Sequence, residues 1–381
     1  MAMKILFIDF NLPYLLRDAL YPIGGWAIEL DAWIKGLRAN GHQIGVLTWK
    51  GANHFAGKKL NFDLIETYDP AKGVRIIKYF YYYIPALYKK TAGYEPDVII
   101  QACAEHYTGI MAVIAKTLKV PFLYRVANDM DTDQRYKEGM PKYAQIAYQY
   151  GLKNADAVLC QNQYQHDAIR KNFPQKPVWI LHNPFPKTVD VLPALFSERQ
   201  YIAWLGVFKK QKNLPRLYET ARQMPELHFK VAGMPGKRMD RHTENALMGL
   251  ERLSNVKLTG YLSRDEVYPF LSKALALLNT SHYEGFSNVF LEAFAMGTPV
   301  IAPAHADPDH IIQKNGLGLA TSEDTDLPTQ INRFLRTGVS LFDETSQRCR
   351  DYVKKNHDPE ILAQRLVEII RQVKNGSVGR R

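Results

Sequence analysis

The chain has 381 residues, 46% of them hydrophobic and 23% charged, and carries a net charge of +11. That length and balance predict two or three domains, each with its own core, and exclude a disordered chain. The positive excess suits an anionic ligand, a nucleic acid or an acidic membrane surface. Three scattered cysteines, Cys103, Cys160 and Cys349, exclude a disulfide framework and predict a reduced, cytoplasmic protein.

Residues 4–10 (KILFIDF) read as a buried first strand and not as a signal peptide, since Asp9 interrupts the run and no small-residue cleavage site follows. A glycine-containing loop over 21–27 leads into a helical stretch, and 42–49 (HQIGVLTW) make a second strand. The chain thus opens with a βαβ unit, the building block of a parallel sheet. Strand-like runs at 96–103, 121–129, 155–162 and 177–184 alternate with helical patterns at 108–120 and about 140–154. The Pro-rich stretch 183–200 predicts a linker, after which strands at 201–208, 227–233, 256–262, 275–281 and 298–303 restart the alternation. A last helix over 358–375 has an apolar stripe at helical spacing, and the tail GSVGRR (376–381) is expected to fray. No apolar run approaches the ~18 residues of a membrane-spanning helix. The predicted fold class is α/β: two facing Rossmann-like domains with parallel sheets and a deep interdomain cleft. The expected boundaries are 1–185 and 186–357, with a C-terminal helix (358–381) crossing back to the N-terminal domain.

The segment HYEGFSNVFLEAFAMGTPVIA (282–302) places Glu284 just before a predicted helix and Glu292 inside it. Ser287 or Asn288 suits the N-cap of a helix from Val289 to Met296, and Gly297 suits its stop. The first N–H groups, aligned with the helix dipole, form an anion site at Gly285, Phe286, Ser287, Asn288 and Val289. A diphosphate there would leave Glu284 and Glu292 to accept hydrogen bonds from hydroxyls of two flanking sugars. The competing reading is a solvated loop carboxylate and a first-turn dipole partner. These residues alone do not choose between them.

The surrounding motifs do. EGFSNVFLE, with PIGGWAIEL, GHQIGVLT, LGVFKKQKNLPRLYETA, FKVAGMPG, LTGYLSRDEVYPFLSKA and NGLGLA in that family's order, resembles the family-4 glycosyltransferases over most of the chain. Those are retaining enzymes of the GT-B fold with an E-x7-E motif. The resemblance implies that Glu284 holds hydroxyls of the transferred sugar, Glu292 holds the nucleotide ribose, and Lys212 neutralises the leaving phosphate. It places Gly206, Lys209, Gly233 and Tyr261 along the donor site, and Gly24 and Gly25 where backbone approaches phosphate and acceptor. Nucleotide-diphosphate sugar would be a substrate; no cofactor and no metal is expected.

Two departures stand out. Val207 occupies the place of a customary arginine, which Lys209 or Lys210 would replace. Where relatives carry a histidine, at the end of the N-terminal domain's fourth predicted strand, this chain has Ala127, Asn128 and Asp129; Asn128 and Asp129 become catalytic candidates there. DMDTD (129–133) contains two D-x-D pairs, read as a polar acceptor-side loop or as helix caps in preference to a metal site. HADPDH (305–310) is read as solvated loop. His106 opens a helix and is either an acceptor contact or a cap.

The run KYFYYYIPALYKK (78–90) has five tyrosines and a phenylalanine between lysines. It suits a lipid-linked acceptor at an anionic membrane surface, or else a strand and helix with buried aromatics. Nucleic acid is not expected as a partner, because no basic–aromatic module is present. The expected function is a retaining glycosyltransferase, of hexosyltransferase type, moving sugar to a saccharide or lipid-linked acceptor in polysaccharide, lipopolysaccharide or glycoconjugate synthesis. It would work in the cytoplasm, peripheral to the membrane. The alternatives are a nucleotide-sugar epimerase of the same fold and a weakly active nucleotide-sugar-binding subunit.

Overall fold

Buried apolar runs and helices alternate twice along the chain and build two separate parallel sheets. The computed structural model describes every residue except 1, 20, 22–23, 58, 75–76, 139, 187–190, 237–238, 323–325, 337 and 377–381. The expected fraying of the tail, the middle of the predicted linker and two residues of the glycine loop lie outside the described residues. The chain divides into one unit of Met1–Pro186 with Asp358–Arg381 and a second of Lys187–His357.

The first unit holds β1 (Lys4–Ile8), β2 (Gln43–Thr48), β3 (Asp63–Glu66), β4 (Val98–Ala102), β5 (Phe122–Arg125), β6 (Ala157–Cys160) and β7 (Val178–Ile180). Their order is β3-β2-β1-β4-β5-β6-β7 and every pairing is parallel, with Ile5 opposite both Ile44 and Val98. The helices among them are α1 (Leu12–Arg17), α2 (Gly25–Ala39), α3 (Ala52–Ala56), α4 (Ile84–Tyr94), α5 (His106–Leu118), α6 (Lys142–Asn154) and α7 (Gln163–Asn172). Successive side chains of β1 point to opposite faces, and both faces are buried. Ile5 and Phe7 join one core with Trp33 and Leu37 of α2; Leu6 and Ile8 join the other with Met111 of α5 and Tyr148 of α6.

The second unit holds β8 (Tyr201–Leu205), β9 (Phe229–Ala232), β10 (Val256–Gly260), β11 (Ala274–Leu278), β12 (Val300–Pro303) and β13 (Gly318–Thr321), ordered β10-β9-β8-β11-β12-β13. Around them lie α8 (Leu214–Gln223), α9 (Arg241–Glu251), α10 (Arg264–Ser272), α11 (Asn288–Ala295), α12 (Ile311–Asn315), α13 (Leu327–Leu335) and α14 (Val339–Asn356). Ile202, Trp204, Val231 and Leu278 from the strands pack on Leu214, Leu217 and Ile331. The chain then returns to the first unit as α15 (Pro359–Lys374), whose Leu362, Leu366 and Ile370 enter the core of β1 and α2. The crossing is close: a Cβ on Gly36 of α2 would stand 2.1 Å from the Pro359 carbonyl oxygen.

Several features differ from the sequence reading, strand β13 and helices α13 and α14 among them. Strand β3 was not anticipated, because its four residues, DLIE, are flanked by charge at the sheet's edge. As a result the YRVAND segment follows the fifth strand of its sheet and not the fourth. Residues 78–90 contain no strand: Tyr79–Tyr83 form a π-helical turn that continues into α4. Aromatic β-propensity loses there to the helical spacing of the buried Tyr83, Leu87 and Thr91, and Pro85 sits where a helix start tolerates it. Helix α9 was also missed.

In each sheet the strand order reverses beside the first strand, between β1 and β4 and between β8 and β11. Loops leaving the carboxyl ends of strands at such a crossover diverge, and the crevice they leave is where open α/β sheets bind ligands.

Candidate functional site

The second unit's crossover brings together the loop after β8 and the loop after β11. The two are stitched by their own backbone and side chains. Trp204 Nε1 donates to Thr280 Oγ1 at 3.1 Å, and Thr280 Oγ1 donates to the Lys212 carbonyl at 2.7 Å. The His282 N–H donates to the Gln211 carbonyl, and Gln211 Nε2 donates to the Tyr283 carbonyl, both at 2.9 Å.

This frame sets Lys212 against Glu284. Lys212 Nζ donates to Glu284 Oε1 at 2.5 Å, and the same oxygen accepts from Ser281 Oγ at 2.6 Å and Asn279 Nδ2 at 3.3 Å. Oε1 is thus fully engaged, while Oε2 has no hydrogen-bond donor among the described residues. Burial pushes the Glu284 pKa up, but the Lys212 charge and these hydrogen bonds outweigh it and hold the carboxylate below its usual value. Glu284 is therefore a buried, ionised acceptor and not a solvated loop residue.

Helix α11 starts four residues later. Ser287 takes the N-cap position, but its side chain caps nothing. A small cavity of about 10 Å³ joins Val289 in the first turn to Lys212, Asn279 and Ser281. Phe286 is held by its ring, which packs on His357 at 5.2 Å. Glu292, one turn inside, is 7% exposed, and its carboxylate accepts no hydrogen bond among the described residues. Burial raises its pKa to about 7, against the pull of Arg264. The two glutamates of one motif are thus held in different states, Glu284 by Lys212, Ser281 and Asn279 and Glu292 by burial.

Gly206 and Gly233 end β8 and β9 side by side. Gly233 has a φ of +149°, and a Cβ there would sit 1.9 Å from the Gly206 carbonyl oxygen, so the two strand ends close only with glycine at 233. Val207 leaves no charge at its place. The Lys209 pKa is lowered by burial first and by the Lys212 charge second, with Glu284 opposing, which puts Lys209 within electrostatic reach of the pair. Tyr261 follows β10, two strands from β8, and is not among the groups that hold Glu284.

The remaining candidates lie in the first unit. Gly24 is the N-cap of α2 with an extended φ of −72°, and nothing lies within 4 Å of where its Cβ would be. Gly25 is the first helical residue. Asn128 Oδ1 accepts from the Met130 N–H at 3.1 Å, so its side chain caps the short 3-10 turn Asp129–Thr132. Asp129 accepts from Asn162 Nδ2 at 3.1 Å and Gln165 Nε2 at 2.9 Å; burial outweighs these bonds and lifts its pKa to about 6. Asp131 accepts the Ala127 and Asn128 N–H groups, and Asp133 holds Arg135. The DMDTD aspartates are thus engaged in local turns and neighbouring side chains. His106 is not a cap, a role taken by Glu105 with Thr108. Its Nε2 is buried without a partner, its ring lies among Tyr79, Tyr107 and Tyr143, and burial lowers its pKa to about 4.

Sequence reasoning missed Asn279 and Ser281, although N-x-S at the end of an apolar strand is a usable signal for side chains turned toward a crossover. It also missed a buried network in the first unit. Arg125 donates to Glu29 Oε1 (2.9 Å), the Leu181 carbonyl (2.6 Å) and Asn183 Oδ1 (2.7 Å), while Trp33 Nε1 and Gln161 Nε2 donate to Glu29. This ion pair ties α2 to the carboxyl ends of β5, β6 and β7. A lone Glu and a distant Arg give no sequence signal of their pairing.

Two parallel, doubly wound units of this order define the GT-B class of fold. HepE of Anabaena, solved in complex with UDP-glucose, superposes with a TM-score of 0.75, covering 97% of this chain and all of that one at 14% identity. Residues 193–356 match the family model "Glycosyl transferases group 1", and residues 23–187 match "Glycosyltransferase Family 4". The chain is, by these two matches, of the group 1/family 4 glycosyltransferase type. Among curated relatives, an uncharacterized glycosyltransferase (MJ1178) of Methanocaldococcus jannaschii is 29% identical over 157 residues, 41% of this chain and 42% of that one. The lipopolysaccharide core biosynthesis glycosyltransferase LpsE of Rhizobium meliloti is 26% identical over 115 residues, 30% of this chain and 33% of its own length. The chain thus spans less than half the length of these two relatives.

Proposed function

We propose that the protein transfers a hexosyl group, with retention of configuration, from a nucleotide-diphosphate sugar to a saccharide or lipid-linked saccharide. The observation that carries this reading is Glu284 at the crossover, ionised by Lys212 with one oxygen left to accept. Oε2 would take hydroxyls of the transferred sugar, and the start of α11 would take the diphosphate. Lys212, already beside that start, would stabilise the charge that grows on the leaving phosphate. Lys209 would add a second positive charge in place of the arginine that Val207 displaces. With that charge supplied by side chains and a helix terminus, the reaction needs no metal and no cofactor. UDP-glucose is the first donor to try, because HepE binds it. Polysaccharide, lipopolysaccharide or glycoconjugate synthesis is the setting, in line with the role named for LpsE.

The acceptor side would lie in the first unit. Among the described residues no helix is long and apolar enough to cross a membrane. Instead Phe80, Tyr81 and Tyr88 on the π-turn and α4, and Tyr143, Ile146 and Tyr150 on α6, are exposed, with Lys89, Lys90 and Lys142 exposed and Lys78 half-exposed among them. Aromatic rings at headgroup depth with lysines beside them suit peripheral binding at the anionic cytoplasmic face of a membrane. The test of the transfer reading is thermal unfolding with a panel of nucleotide sugars, followed by NMR-detected turnover of the donor that stabilises the protein. Glu284→Ala and Lys212→Ala should each abolish turnover, with donor binding partly kept in the first. Full turnover in either variant, or no stabilisation by any nucleotide sugar, defeats the reading.

A further inference from the structure

The first unit contains a cavity that none of the donor-site residues touches. It opens at the carboxyl end of the sheet, where β1 runs on into α1 and β2 into α3. Its volume is about 610 Å³, and Arg17, Trp49, His54, Phe55 and Ala56 are among its walls. That size lies within the range of small-molecule pockets, as does an aromatic lining with a few polar groups.

The aromatic walls are fixed in place. Trp49 Nε1 donates to the Phe10 carbonyl at 3.2 Å, which sets the plane of the indole. Phe55 meets that indole edge-on, at 5.3 Å and 65°. Tyr14 supports both rings, at 6.0 Å from Trp49 and 5.1 Å from Phe55, and is itself stacked on Tyr21 at 4.4 Å. Trp49 and Phe55 remain half-exposed, so each keeps ring surface open to a ligand. The charge is one-signed. The Arg17 guanidinium lies 4.7 Å from the Phe55 ring centre, pairs with no carboxylate among the described residues, and is exposed, as is His54. Among the described residues no Asp or Glu lines the cavity.

We infer that this cavity binds an anionic pyranose: a sugar ring against Trp49 and Phe55, with a carboxylate or phosphate on Arg17. A pyranose presents a C–H face that packs on an aromatic ring while its hydroxyls stay toward water. A guanidinium held over a ring keeps its donor edge free, and that edge matches the two oxygens of a carboxylate or phosphate. Resting on the proposed transfer reaction, the cavity is an acceptor subsite, and the acceptor glycan carries an acidic residue.

The test is titration of the whole protein with methyl β-D-glucuronide, glucose 6-phosphate and methyl β-D-glucoside, followed by saturation-transfer NMR and tryptophan fluorescence. UDP-glucose is titrated in parallel. The anionic sugars should bind about tenfold more tightly than the neutral glucoside. Arg17→Gln should remove that difference while leaving the glucoside unchanged. Trp49→Ala should lose all three sugars, and neither variant should shift UDP-glucose affinity by more than about twofold. Arg17 is on the surface, so its variant should keep the wild-type unfolding midpoint and a folding defect cannot mimic the result. Binding of the phosphate sugar alone keeps the inference and narrows the anion to phosphate. Equal binding of charged and neutral sugars, or an Arg17→Gln variant that binds as wild type, overturns it. Sugar binding without UDP-glucose binding would remove the transfer reading and leave this site standing. UDP-glucose binding without sugar binding would do the reverse.

Discussion

Donor affinity should depend on pH through one carboxyl group, Glu292. In the free protein burial raises its pKa to about 7. Ribose hydroxyls donating to that carboxylate would favour its ionised form and bring the pKa back toward the ordinary carboxylate range. The sign follows directly. Binding selects the ionised form, so affinity is full above pH 7 and is lost as pH falls below it. With a free-state pKa of about 7, roughly a tenth of the molecules are ionised at pH 6 and nine-tenths at pH 8. UDP-glucose should therefore bind about tenfold more tightly at pH 8 than at pH 6, a change of about 1.4 kcal/mol. Binding at pH 7 should release about half a proton, which calorimetry in two buffers of different ionisation enthalpy measures. The diphosphate of a nucleotide sugar stays fully ionised across this window, and His282 is held below its usual pKa by burial first and then by His305, Lys210 and Arg216. Glu292→Gln should bind more weakly and show a flat profile. A flat profile in the wild type, proton uptake in place of release, or an undiminished slope in Glu292→Gln would refute the reasoning.

Arg125→Met would leave Glu29 buried without its charge partner and should cost about 3–5 kcal/mol in urea unfolding. Adding Glu29→Met should recover much of that, and a single-variant loss under about 1 kcal/mol would contradict the pairing. Gly233→Ala would drive a methyl group into the Gly206 carbonyl oxygen. It should lower the melting temperature by several degrees, corresponding to about 2 kcal/mol or more, and an unchanged midpoint would show that the two strand ends are not closed as described. Lys78, Lys89 and Lys90 changed together to Glu should abolish flotation with anionic liposomes at low salt, and equal flotation of wild type and variant would dismiss the membrane face.

Strand and helix alternation was legible because each central strand is buried on both faces and each helix keeps an apolar stripe. KILFI and YIAWL could hardly be anything else. Strand β3 was not legible, since a four-residue edge strand with an acid at each end carries neither run nor period. The tyrosine run stayed ambiguous, with a strand and helix as one alternative, because residue preference speaks for a strand, while the spacing of three buried positions, visible only once packed, decides for a helix. At the site, Glu284, Lys212 and Glu292 were legible as a pattern, but their states were not. That Glu284 is ionised follows from Ser281, Asn279 and Lys212 converging on one oxygen across 72 residues of chain. Asn128 and His106 were legible as unusual residues in the right loops, yet the fold uses the first as a turn cap and buries the second among tyrosine rings.

The contrast between the two glutamates lies in how each buried carboxyl group is stabilised in the free protein. A buried carboxylate is costly unless something neutralises it. Glu284 is neutralised internally by Lys212, so its geometry is set before any ligand arrives, as its proposed role of orienting the transferred sugar would require. Glu292 feels only the pull of Arg264, which burial outweighs, and at its pKa of about 7 a proton neutralises it in part, one that a bound ligand hydroxyl would displace. On the proposed reading, permanent pairing would suit Glu284 beside the transferred sugar, and exchangeable protonation would suit Glu292 at the ribose. Two carboxyl groups whose environments push their pKa values apart mark two separate tasks. Here Lys212, Ser281 and Asn279 lower the one, and burial raises the other. E-x7-E alone therefore does not define the state of its glutamates: Lys212 on the loop after β8, with Asn279 and Ser281 after β11, sets that of Glu284.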